Sequence, residues 1–161
     1  MVFALTVSVG AESEAEFLDI RITHEMSESE IAKRLQGVLT ADLEILEVHR
    51  PTTKLQEVAE SESCIYTERA LDPEAVKNAL LSPMIVMVHG KKGDKEKDIL
   101  EQVVSVEVDG DMIRARLKAG QGDFLNPENF MKGLLTALSE SDCLYLICRT
   151  DCYTESGERF R

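Results

Sequence analysis

Tryptophan is absent from this chain of 161 residues, and aromatic residues together make up 5% of it. A packed core, for which the 43% hydrophobic content suffices, must therefore be mostly aliphatic. Basic residues are scarce: 18 Lys and Arg stand against 30 Asp and Glu, a formal net charge of -12. That balance excludes wholesale, sequence-blind nucleic-acid binding, which depends on neutralising phosphates, but it leaves room for a local basic face. Long apolar runs are missing, and none approaches the roughly 20 residues of a membrane span. The opening "MVFALTVSVGA" is apolar but has no positive n-region. Its Phe3, Leu5, Val7 and Val9 alternate, so it reads as a strand rather than a leader. Cys64, Cys143, Cys148 and Cys152 show no framework spacing, and reduced thiols in a cytoplasmic protein are expected.

Catalytic signatures are also missing. There is no G-x-S-x-G, Walker or G-x-G-x-x-G element. His24, His49 and His89 sit near predicted strand ends without a motif partner, and read as surface or edge histidines. Glu12, Glu14 and Glu16 would share one side of an extended segment and offer oxygen ligands to a hard cation. In a turn, however, such a run is ordinarily a solvated charge cluster. "AGQGD" precedes a helix start, but the intervening "FLN" makes it a poor phosphate cradle. No metal site, no cofactor and no independent catalytic activity are expected.

The positive signals describe an α+β protein. Strands are expected over 2–9 and 18–22, with a polar turn at 12–16 between them. Ser27 and Glu30 form a capping box for a helix whose apolar face is Ile31, Leu35, Val38 and Leu39. Alternation predicts a strand over 43–49, closed by Pro51. Residues 51–62 are polar and read as a linker or crossover. A short strand runs through Cys64, Ile65 and Tyr66. Asp72 caps a helix that has Pro73 at its first position. "MIVMVH", 84–89, reads as a strand buried on both faces. Val104, Val106 and Val108 alternate into "DGD" and return through Ile113, Ala115 and Leu117, a hairpin. Asn126 and Pro127 start a helix with the stripe Phe130, Leu134, Ala137 and Leu138, and "CLYLIC", 143–148, is the last strand.

Hairpin, helix and strand thus occur at 2–49 and again at about 102–149. The stripes at 31, 35, 38, 39 and at 130, 134, 137, 138 have identical spacing. Duplication accounts for this, and so does the common period of amphipathic helices. The expected fold is antiparallel sheets with helices on one face, built as two ferredoxin-like halves. Residues 1–50 form a truncated first half, 63–152 a second, and 153–161 a tail.

One basic segment stands out. Lys91, Lys92, Lys95 and Lys97 fall within seven residues, although Asp94, Glu96 and Asp98 leave residues 91–98 at only +1. On the returning hairpin strand Arg114, Arg116 and Lys118 share one face. Over 86–120 seven basic and seven acidic residues balance, so the whole net charge lies outside that stretch. Two readings stand: ion pairs with the acidic hairpin mate, Glu107 and Asp109, or a site for phosphate, RNA backbone or an acidic partner made of Lys91, Lys92, Lys95, Lys97, Arg114, Arg116 and Lys118.

The order of residues resembles the radical-SAM-linked domain family of uncharacterised bacterial proteins. "FALTVSVGAESEAEFLDIRI", 3–22, is similar to its apolar strand followed by G-x-E-S-E-A-E-(Y/F)-x-D-I, met by Gly10, Glu12, Ser13, Glu14, Ala15, Glu16, Phe17, Asp19 and Ile20. Lys91, Lys92, Gly93, Lys95, Glu96, Asp98 and Ile99 resemble its lysine motif, and "RARLKAG", "NPENF" and "CRTD" are similar to later segments. The resemblance implies an accessory protein beside or fused to a radical-SAM enzyme, presenting RNA or another anionic substrate. A small-molecule-binding or regulatory domain is the alternative. The family's usual N-terminal strand, helix and Phe/His/Pro-rich segment have no counterpart here. That departure predicts an open sheet edge and a homodimer formed through it. Cys148 and Cys152 are spaced C-x3-C, but no third cysteine follows to complete a cluster site, so the chain is not itself the radical enzyme.

Overall fold

In the computed structural model, residues 2–90 and 93–161 are described. The short strands β1 (Val2–Phe3), β2 (Ala11–Ser13) and β3 (Leu18–Asp19) come first, then helix α1 (Glu28–Gln36). The strand β4 (Val58–Thr67), helix α2 (Pro73–Ala79) and strands β5 (Ile85–Gly90), β6 (Gly93–Asp98), β7 (Val103–Asp109), β8 (Met112–Gly120) and β9 (Asp123–Phe124) follow. Helix α3 (Pro127–Ala137) and strand β10 (Tyr145–Thr154) complete the order.

The main sheet runs β2-β10-β4-β8-β7, with β9 attached to β8. Its neighbours are antiparallel except β2, which joins β10 in parallel. The strands β4, β7, β8 and β10 with helices α2 and α3 make a ferredoxin-like βαββαβ unit. Strands β5 and β6 form a separate antiparallel ribbon inserted between α2 and β7. The α+β class read from the sequence is the one observed. The core lies between α2 and α3 and one sheet face, where Val76, Phe130, Met131 and Leu134 meet Ile65, Ile113, Ala115 and Leu117.

Local chemistry placed several elements as expected. The side chains of Ser27, Asp72 and Asn126 cap the three helices, and Pro73 and Pro127 begin two of them. Gly110 has φ +62° at the first of two residues linking β7 to β8, the position that glycine takes in a type II′ turn.

Other elements differ. Residues 43–49 form no strand: the Gln36 side-chain amide instead donates to the Leu43 carbonyl and accepts from the Ile45 N–H, both at 2.8 Å. Leu46 remains 70% exposed. Helix α1 has no buried residue, so its apolar stripe packs on no core. Residues 58–62, expected within a linker, are the first half of β4, because Ser61 and Ser63 are small enough to be buried facing the helices. Ala11–Ser13 is a strand inside the expected loop region. The strand at β5 is covered on one face only, with Val86 buried and Ile85 and Met87 half exposed. The described part of the lysine segment, Gly93–Asp98, is itself a strand, β6, exposed throughout. The last strand extends to Thr154 and takes in Cys152. Beyond it the chain folds back: the Phe160 N–H donates to the Cys152 carbonyl at 2.8 Å, and Phe160 packs edge-on against Phe17 with ring centres 4.8 Å apart.

Candidate functional site on the uncovered face of the sheet

Residues in register across a sheet project from the same face, and successive residues along each strand alternate. The register therefore defines rows. Ala11, Ile147, Ile65, Ile113 and Val108 form a row on the helix-covered face. One residue along, Glu12, Cys148, Cys64, Arg114 and Glu107 form a row across the same five strands on the opposite face. On one side of this row lie Leu146, Tyr66 and Met112, and on the other Glu62, Arg116 and Ser105. No helix covers these rows: Leu146 is 70% and Tyr66 48% exposed.

The three expected cations on this face, Arg114, Arg116 and Lys118, are each held by an acid. Arg116 Nε lies 2.6 Å from Glu60 Oε2, a close ion pair without hydrogen-bond alignment. Its guanidinium also stacks 3.6 Å from the centre of the Tyr153 ring. Lys118 Nζ is 3.9 Å from the same Glu60. Arg114 reaches Glu107 at 3.6 Å. The Cys64 sulfur beside it is the first cause holding the Arg114 guanidinium above its ordinary value, followed by Glu62 and Glu107. At the far end Asp151 binds Arg159 and Arg161, each at 3.1 Å. Burial pushes the Tyr153 hydroxyl up, and the neighbouring carboxylates of Glu62 and Asp151 push it further.

Lys95 and Lys97 lie elsewhere. They pair with Val88 and Val86 on β5, and Val86 packs against Gly133 of α3. The ribbon thus stands on the helix side of the sheet, while Arg114, Arg116 and Lys118 project from the opposite face. Lys95 and Lys97 are therefore not brought together with Arg114, Arg116 and Lys118. Lys91 and Lys92 lie outside the described residues.

A second polar centre, not singled out in the sequence, is Arg149. Its side chain is 8% exposed, meets Glu16 at 2.8 Å and donates to the Leu5 and Thr6 carbonyls. Burial pushes the Glu16 carboxyl above its ordinary range, with Arg149 and Ser13 pulling it back. The expected acidic cluster is thereby divided, since Glu16 serves Arg149 and Glu12 stands in the uncovered row. Among the described residues no group of His, Cys, Asp or Glu is arranged to hold a metal ion. Among the same residues no helix is long and apolar enough to cross a membrane.

The fold and this face together define an α+β sheet domain with one side packed by helices and the other open and polar. The chain belongs to a family of uncharacterised proteins conserved in bacteria, the domain of unknown function DUF2344, whose sequence pattern matches residues 1–127. No curated protein and no solved structure matches it.

Proposed function

We propose that the protein is a non-catalytic accessory module of a radical-SAM enzyme, presenting RNA or another anionic substrate on the uncovered sheet face. The observation that carries the anion-binding part is the exposed Tyr66 diagonal to Arg114 on the neighbouring strand, with Lys118 four residues beyond Arg114 on the same face; the two cationic side chains are 47% and 40% exposed. An exposed aromatic supplies a stacking surface for a base and the cations meet phosphate. Exposed ion pairs are weak, so a polyanion can displace Glu107 from Arg114. Arg116 is committed to Glu60 and Tyr153 and belongs to the scaffold.

The test is RNA binding titrated with salt, for the native chain and for Tyr66→Ala, Arg114→Glu and Lys118→Glu, with affinity capture of a radical-SAM enzyme alongside. Loss of RNA affinity in the variants supports the reading; binding that ignores all three overturns the site. Pairing of two copies through the sheet edge at β2 belongs to the same proposal, and a clean monomer by light scattering removes it. A second reading, a small-molecule-binding domain, is favoured by the cleft of about 320 Å³ lined by Phe3, Leu5, Leu55, Val58, Ala119 and Phe124. A thermal-shift panel of nucleotides and apolar ligands separates the two, because a specific ligand stabilises the folded state.

A further inference from the structure

Cys64 and Cys148 stand directly opposite one another on the antiparallel neighbours β4 and β10. Facing residues of such a pair have Cα atoms about 4.5–5.5 Å apart, within the about 4.4–6.8 Å that a disulfide spans. Both side chains leave the sheet on its uncovered face, where Cys148 is half-buried and Cys64 is 8% exposed. The other two thiols are excluded by position. Cys143 and Cys152 are 3% and 0% exposed and sit in separate apolar clusters. Burial pushes the Cys152 thiol up to about 11.

We propose that Cys64 and Cys148 are a redox-modification site, converted by hydrogen peroxide into an intramolecular disulfide across β4 and β10. The more accessible Cys148 attacks a peroxide oxygen as its thiolate. The S–O bond forms as the O–O bond breaks, and the departing hydroxide takes up a proton to leave as water. Cys64 then attacks the sulfenyl sulfur, and a second water departs. Two thiols lose two electrons and two protons, and one peroxide becomes two waters. The Arg114 guanidinium beside Cys64 places a cation at the sulfur that carries negative charge when it attacks. Burial, then Glu14, Glu12 and Cys64, push the Cys148 thiol up, so the first step is slow beside that of a dedicated peroxidase. The geometry of the pair then favours ring closure over further oxidation. This site stands independently of the anion-binding reading.

The test treats the reduced full-length chain with hydrogen peroxide, takes the intact mass, then blocks remaining thiols and maps the peptides without reduction. The expected result is a monomer lighter by about 2 Da, carrying a Cys64–Cys148 cross-link that dithiothreitol reverses. The Cys148→Ser variant loses the cross-link. Gains of about 32 or 48 Da without a link, a bridge to Cys143 or Cys152, a disulfide-linked dimer, or unchanged thiols each overturn the proposal. The mapping on the native chain decides the matter even where a variant fails to fold.

Discussion

The Arg116 guanidinium stacks 3.6 Å above the Tyr153 ring, joining β8 to β10 across the intervening β4, whose Glu60 pairs with the same arginine. One side chain thus ties three strands together on the face that no helix covers. Replacing Arg116 with Met leaves Glu60, 13% exposed, without its nearest cation. The expected loss is about 2 kcal/mol, from the stacking and the stranded carboxylate together. Arg114→Gln, which removes an exposed pair, is expected to leave stability nearly unchanged. Urea unfolding of both variants measures the difference.

Arg149 plays the corresponding part for the N-terminal segment. Its guanidinium holds Glu16 and the carbonyls of Leu5 and Thr6, so Arg149→Met frees these groups at once. A loss of about 3 kcal/mol is expected, with amide exchange rising first across residues 4–17. Uniform exchange over the whole chain would show that the segment is held by other contacts.

Gly133 lets the ribbon approach α3. A Cβ at this position would meet Val86 Cγ1 at 3.0 Å, and Ile99 Cδ1 and Met84 Cε each at 3.2 Å. The gain in helix propensity from Gly133→Ala, about 1 kcal/mol, is outweighed where three buried side chains must move together. Net destabilisation of about 1 kcal/mol is expected, and thermal melting reads it.

Tyr145 gives a pH signature. Burial first, and then its hydrogen bond to Glu128 at 3.0 Å, push its hydroxyl up to about 12 from the ordinary 10.0. The folded state therefore holds this proton more tightly than the unfolded chain does. The resulting stabilisation is complete below about 10 and is lost as pH rises towards about 12. Tyr145→Phe should flatten that part of the stability profile and remove the latest-ionising component of an absorbance titration.

Much of the fold was legible because it rests on local rules. The caps at Ser27, Asp72 and Asn126, the prolines at 73 and 127, and the glycine in the 104–117 hairpin act within a few residues of themselves. The misreadings have a common source. "VAESESCIYT" reads as polar because its Glu60 and Glu62 face arginine and tyrosine partners far along the chain, while Ser61 and Ser63 turn inward. "LEILEVH" alternates as a strand does, but it pairs with no described strand, and a glutamine side chain takes its backbone groups instead. Residues 93–98 join β5 through a backbone ladder, which no side-chain pattern reports.

The sequence by itself determined the secondary-structure punctuation, the aliphatic core face and the cationic alternation of Arg114, Arg116 and Lys118. These depend on turn chemistry and on a side-chain period of two. Only the tertiary structure decided what those cations meet. Strand register set Glu60 beside Arg116 and Cys148 opposite Cys64, and packing of the ribbon on α3 sent Lys95 and Lys97 to the other side of the sheet. Partners across a sheet are separated by tens of residues along the chain, and they meet only when the burial of the opposite face fixes the register.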